Sequence, residues 1–176
     1  MTDDALRVGD EIPDVSGDLV SPGGEATRTA LRALLADGPV LLCFYTADFS
    51  PDCIEQWCSF RDFDWFASGD HVRVVGVSKS GVGLHRRFIA RLGLTFPIFS
   101  DTDLSISEGF GVDYRVLGLV RRSRRSCFLI DGAGVVRYRW LSEHWLDPTR
   151  DVPPVAEIHE AVRERLDATD PDTFGF

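Results

Sequence analysis

The chain has 176 residues, with 28 Asp and Glu against 19 Lys and Arg, a formal net charge of -9 and a pI near 4.8. An apolar fraction of 44% with 27% charged residues excludes wholesale disorder, and one domain spanning 1–176 is expected at this length. The acidic balance has the wrong sign for a nucleic-acid binder, and the longest apolar run, Val40 to Tyr45, is far short of the roughly 20 residues of a membrane helix. No nucleic-acid or membrane partner is therefore expected. Met1-Thr2-Asp3-Asp4 lacks the basic start and apolar stretch of a secretory signal, which predicts a cytoplasmic location. Four cysteines are too few for a disulfide scaffold, so in a reducing compartment they are catalytic, metal-binding or buried.

In chain order, Ser21-Pro22-Gly23-Gly24 reads as a turn, and Ala30, Leu31, Leu34 and Leu35 recur at helical spacing, which predicts a helix over Glu25 to Leu35. Gly38-Pro39 ends it, and Val40 to Tyr45 is a short apolar run of the kind found in buried strands. Ser50-Pro51 is a helix start, Ser as N-cap and Pro at the first helical position, opening a helix to about Phe66. A second buried strand covers Val72 to Val77, and an amphipathic helix covers Gly81 to Leu92. Phe96 to Phe99 is extended, Leu104 to Phe110 a helical turn, and Arg121-Arg122-Ser123-Arg124-Arg125 a basic loop. Cys127 to Ile130 and Val135 to Trp140 flank Asp131-Gly132-Ala133-Gly134, a hairpin signature. The last helix runs from about Pro154 to Leu166, with Val155, Ile158, Val162 and Leu166 inward and a frayed tail at 168–176. This order predicts an α/β protein of thioredoxin-like fold, a mixed central sheet flanked by helices on both faces.

The chemically informative stretch is Phe44 to Cys58, where a strand runs out into a loop and a helix begins. With Ser50 as N-cap, Cys53 falls in the first helical turn, where unpaired N–H groups and the positive end of the macrodipole favour a thiolate. Asp52 opposes that, so a further cation is expected nearby. Taken alone, the same residues also fit a buried small cysteine beside an ordinary cap.

The segment resembles the active site of the peroxiredoxins, whose signature is Pro-x-x-x-Thr/Ser-x-x-Cys, with Ser50 at the Thr/Ser position and Cys53 as the peroxidatic cysteine. A second cysteine five residues on, followed by Phe60-Arg61-Asp62, is similar to the Q-type group, also called bacterioferritin comigratory proteins. Val8 to Asp14, Gly76-Val77-Ser78, His85-Arg86-Arg87-Phe88, Phe96 to Asp101 and Arg125 to Asp131 match further family segments in the same order, the last beginning with the family's catalytic arginine. Thr46 replaces the signature proline that shields the cysteine, Cys127 stands where Thr is usual, and Gln56 where many members carry Glu.

The resemblance implies reduction of hydrogen peroxide and organic hydroperoxides by Cys53, through a sulfenic acid, with no organic cofactor or metal. Developing negative charge on the two oxygens is then met by the Cys53 backbone N–H, the Ser50 hydroxyl and Arg125. It further implies Cys58 as resolving cysteine, a thioredoxin-like or glutaredoxin-like electron donor, and a monomer or weak dimer. In an intact helix, positions five apart lie about 140° around the axis and about 8–9 Å apart between Cα atoms. A disulfide spans at most about 7 Å, so a Cys53–Cys58 bond requires the helix to unwind locally. The alternative for Cys58 is a core residue, with an external thiol resolving Cys53. Cys43 and Cys127, each within an apolar strand, read as small core residues, and the cysteine spacing lacks any Cys-x-x-Cys pair expected of zinc or of a disulfide reductase. His85 and His144 read as surface or structural residues, Trp57 and Trp65 as packing residues. Competing readings are a peroxide sensor that passes its disulfide to a client protein, and a catalytically silent thioredoxin-fold module.

Overall fold

The computed structural model describes residues 4–143 and 151–169. Strand β1 (Ser16–Val20) and strand β2 (Ala26–Ala30) form an antiparallel hairpin around the Ser21–Gly24 turn, closed by Ser21 N–H to Glu25 O at 2.8 Å. This corrects the helix expected over Glu25 to Leu35. Thr27 and Thr29 alternate opposite Leu19 and Gly17, a β-branched period of two, and the apolar helical spacing belongs only to the short helix α1 (Leu31–Leu34) and the 3-10 turn Leu35–Asp37.

Strand β3 (Val40–Phe44) is buried on both sides and leads into helix α2 (Pro51–Arg61). The predicted helix to Phe66 breaks at Asp62 and resumes as the short helix α3 (Asp64–Ala67). Strand β4 (Arg73–Ser78), helix α4 (Val82–Leu92), strand β5 (Ile98–Ser100) and helix α5 (Ser105–Gly109) follow close to the expected positions. The expected basic loop is instead the second half of a hairpin, strands β6 (Asp113–Val116) and β7 (Val120–Ser123), where Arg121 lies 2.8 Å from the Asp113 carboxylate. Strands β8 (Ser126–Ile130) and β9 (Val136–Leu141) make the anticipated hairpin, and helix α6 (Val155–Thr169) closes the fold. Ile158 and Val162 of α6 are buried, and Val155 and Leu166 pack against the same cluster. The tail beyond Thr169 lies outside the described residues.

The main sheet has the order β2-β1-β5-β4-β3-β8-β9, parallel between β3, β4 and β5 and antiparallel elsewhere. It is the mixed sheet of a thioredoxin-like α/β fold, with helices on both faces. Alternation along the central strands separates two cores. Leu41, Cys43, Val74, Cys127 and Leu129 meet α2, α4 and α6 on one face, while Leu42, Phe44, Val75, Val77 and Phe128 meet α1 and α5 on the other. Helix α2 sits close to the sheet because β4 carries Gly76 beneath it. A Cβ there would lie 2.7 Å from Trp57 Cζ2, closer than packed atoms tolerate. That close seat places the start of α2 over the ends of β3 and β8.

Candidate active site

The loop from Tyr45 to Ser50 carries the chain from β3 into α2. Ser50 is the N-cap in backbone terms, with extended φ and ψ, and its carbonyl accepts from Ile54 N–H at 2.9 Å. Its hydroxyl makes no cap bond. It donates to Ala47 O at 3.4 Å, so the first-turn N–H groups keep their hydrogen-bonding capacity free of a side-chain cap. Phe49, one residue earlier, has φ of 63°, a left-handed conformation that a bulky residue adopts only under constraint, and its ring packs edge-on to Phe88 at 5.1 Å. Strain is thus stored at the entrance to α2.

Cys53 lies on the inward face of the first turn and is fully buried. Arg125, at the start of the β8 strand run, is also buried and donates from Nη2 to Cys53 Sγ at 3.4 Å. Its Nη1 donates to Gln56 Oε1 at 2.6 Å. Gln56 is one helical turn from Cys53, so α2 presents both the sulfur and the group that orients the guanidinium. Gln56 holds the guanidinium through a neutral amide and adds no counter-charge of its own. Three of the residues singled out in the sequence, Cys53, Arg125 and Gln56, are therefore in one cluster, while no hydrogen bond joins the Ser50 hydroxyl to Cys53 among the described residues. Thr46, at the signature proline position, is half-buried, and its hydroxyl has no partner among the described residues.

Sequence reasoning missed a buried network under the same loop. The Tyr45 hydroxyl donates to Asp48 Oδ1 at 2.6 Å, and Asp48 Oδ2 lies 2.7 Å from His85 Nδ1 on α4. The Asp48 backbone N–H donates to Ser80 Oγ at 3.1 Å. Burial, and next the Asp48 carboxylate, push the Tyr45 hydroxyl well above its ordinary pKa of 10.0. His85 is structural, as one of the two expectations had it, and is wholly buried; His144 lies outside the described residues. The 37-residue separation of Asp48 and His85 leaves no local pattern, and only the family-like His85-Arg86-Arg87-Phe88 segment hinted at a fixed role.

Cys58 is on the same continuous helix as Cys53 but only partly buried, and all four cysteines are free thiols. Cys43 and Cys127 are fully buried and face each other across β3 and β8. Burial, then the side-chain hydrogen bond with Cys127, pushes the Cys43 thiol well above its ordinary value of 9.0. Trp57 is core, its ring 5.4 Å from Tyr45 and 5.8 Å from Phe96, and Trp65 stacks on His71 at 5.0 Å. Among the described residues no group of three or more metal-ligating side chains occurs.

A cysteine at a helix N-terminus, touched by a buried guanidinium on a thioredoxin-like sheet, defines the class of the thiol peroxidases. The AhpC/TSA family model matches residues 8–139. Peroxiredoxin Bcp of Xanthomonas campestris is 31% identical over 151 residues, covering 80% of this chain and 86% of that protein. Among solved structures, peroxidoxin BcpB of Mycobacterium tuberculosis superposes with a TM-score of 0.75 at 27% identity, covering 94% of this chain and 99% of BcpB. The bacterioferritin comigratory protein of Xanthomonas campestris, solved to study its alkyl peroxide reduction, superposes with a TM-score of 0.73 at 26% identity, covering 93% and 99%. The chain belongs to the AhpC/TSA family and is a peroxiredoxin, a thiol-dependent peroxidase.

Proposed function

We propose that Cys53 is the peroxidatic nucleophile, Arg125 its principal electrostatic partner and Cys58 the resolving thiol. The 3.4 Å contact between Arg125 Nη2 and Cys53 Sγ, at the N-terminus of α2, is the observation that supports this most directly. The Cys53 thiolate attacks one peroxide oxygen, the O–O bond breaks, and the departing oxygen leaves as water or an alcohol after taking a proton. Cys53 becomes a sulfenic acid. In the transition state negative charge spreads over sulfur and both oxygens, and Arg125 and the Cys53 backbone N–H are donors fixed beforehand at that point. The Ser50 hydroxyl joins them by turning from Ala47 O. Because Cys53 is fully buried, peroxide enters as the Tyr45–Ser50 loop opens.

Resolution condenses the sulfenic acid with the Cys58 thiol, forming the disulfide and releasing water. The first turns of α2 must unwind for this, and two local features favour it: the strained Phe49 and the absent side-chain cap at Ser50. A thioredoxin-like or glutaredoxin-like dithiol then reduces the disulfide, and the chain works in the cytoplasm. Among the described residues no helix is long and apolar enough to cross a membrane. The test is peroxide consumption by wild type, Cys53→Ser and Cys58→Ser with and without a dithiol donor. The first variant loses activity, and the second completes one turnover without forming an internal disulfide. Wild-type consumption by Cys53→Ser overturns the assignment.

A further inference from the structure

The peroxidase reaction leaves two thiols unused. Cys43 and Cys127 are direct partners in the antiparallel β3/β8 register, both are fully buried free thiols, and Cys43 Sγ donates to Leu41 O at 3.9 Å. Facing residues of antiparallel strands have Cα atoms about 4.5–5.5 Å apart, inside the roughly 4.4–6.8 Å range of disulfides. Cys53 and Cys58 on the intact helix are outside it. The fold therefore holds ready for bonding the pair that the reaction does not use, and holds apart the pair that it does.

The two pairs share one side of the sheet. Cys43, Cys53, Trp57 and Cys127 belong to one buried cluster. Arg125, which touches Cys53, lies two residues before Cys127 on the same strand run and so on the same face, about 7 Å away. Trp57 of α2 lies against Gly76, the β4 partner of Cys43. Helix α2 thus packs, together with α4 and α6, over the core layer that holds the Cys43–Cys127 pair, and it is the helix that must unwind to join Cys53 to Cys58.

We propose that Cys43 and Cys127 are a second redox site, a cross-strand dithiol that accepts the disulfide first formed between Cys53 and Cys58; this rests on the peroxidase cycle proposed above. The Cys127 thiolate attacks Cys53 Sγ, the Cys53–Cys58 bond breaks, and its electron pair leaves on Cys58, which takes up a proton. The Cys43 thiol then attacks Cys127 Sγ, the Cys53–Cys127 bond breaks, and the departing Cys53 sulfur takes the proton that Cys43 gives up. Net, Cys43 and Cys127 are oxidised and Cys53 and Cys58 are reduced, with peroxide as the only oxidant consumed. Refolding of α2 drives the transfer, because the Cys53–Cys58 disulfide forbids the closed helix and the cross-strand disulfide does not. The consequence is an oxidised chain whose Cys53 is again available for peroxide.

The test titrates the fully reduced protein with hydrogen peroxide without any thiol donor, alkylates the remaining thiols, and maps linkages by mass spectrometry. Wild type should consume two equivalents, lose all four thiols and yield a Cys43–Cys127 linked peptide. Cys43→Ala should stop at one disulfide, and Cys53→Ser should form no Cys43–Cys127 link at the same dose. A wild-type protein that stops at the Cys53–Cys58 disulfide with Cys43 and Cys127 alkylated overturns the relay and leaves the peroxidase assignment standing. Closure of Cys43–Cys127 in Cys53→Ser at the wild-type rate also overturns it. No peroxide consumption by wild type removes the peroxidase assignment itself, and the relay with it.

Discussion

Replacing Arg125 by Met keeps an unbranched side chain of moderate size and removes the charge that touches Cys53. At 3.4 Å and an effective dielectric of about 20, a unit charge on Arg125 interacts with a thiolate by about 5 kcal/mol before desolvation is subtracted. Hydrogen bonds to charged groups retain about 1.5–3 kcal/mol net, and removing one preorganised donor from a developing oxyanion slows reactions about 100- to 1000-fold. The expected loss in the second-order rate constant for peroxide is therefore about 100- to 1000-fold. Stability should change less, by under about 2 kcal/mol, because the unpaired Gln56 Oε1 is offset by relief of burying a guanidinium. Stopped-flow mixing with hydrogen peroxide gives the rate, and urea unfolding gives the stability. Arg125→Lys should recover part of the rate, since it restores charge but cannot donate to Cys53 and Gln56 through one planar fork. A folded Arg125→Met protein reacting within threefold of wild type would refute the electrostatic role.

Gln56→Leu removes the acceptor that orients Arg125 and should slow the peroxide step about tenfold, while Gln56→Glu keeps that acceptor and should stay within about threefold; equal rates for the two variants contradict this. Asp48→Ala strands the buried Tyr45 hydroxyl and His85 Nδ1 and should cost about 3–5 kcal/mol in urea unfolding, whereas a loss below about 1 kcal/mol would show that the network holds little. Burial holds Cys43 and Tyr45 protonated above their ordinary values of 9.0 and 10.0. The unfolded chain releases those protons first as pH rises, so stability contributed by these groups is present below about pH 9 and declines above it, by up to about 1.4 kcal/mol per pH unit for each group. Urea midpoints level from pH 8 to 11 would contradict that.

The parts legible in the sequence were those written in local chemistry. Val40 to Tyr45 read as a buried strand, Ser50-Pro51 marked a helix start, and Asp131-Gly132 marked the last hairpin. Cys53 followed from its place in the first turn, and Arg125 from a motif register. The Glu25 to Ala30 segment failed because an exposed edge strand carries no apolar alternation, leaving the helical spacing just beyond it as the stronger signal. The β6–β7 hairpin was hidden by its arginines, of which Arg121 pairs with Asp113 on β6 and with Glu108 on α5. The Asp48–His85 bond and the pairing of Cys43 with Cys127 depend on which elements become neighbours. Sheet order decides that, and neither residue pair carries a mark of it.

The central claim, that the oxidised atom is the sulfur of Cys53, is tested most directly by trapping. Cys58→Ser protein treated with one equivalent of hydrogen peroxide and then dimedone should carry a single adduct, mapped by mass spectrometry to Cys53. An adduct on Cys43 or Cys127 instead, or consumption of peroxide with Cys53 still alkylated as a free thiol, would contradict it.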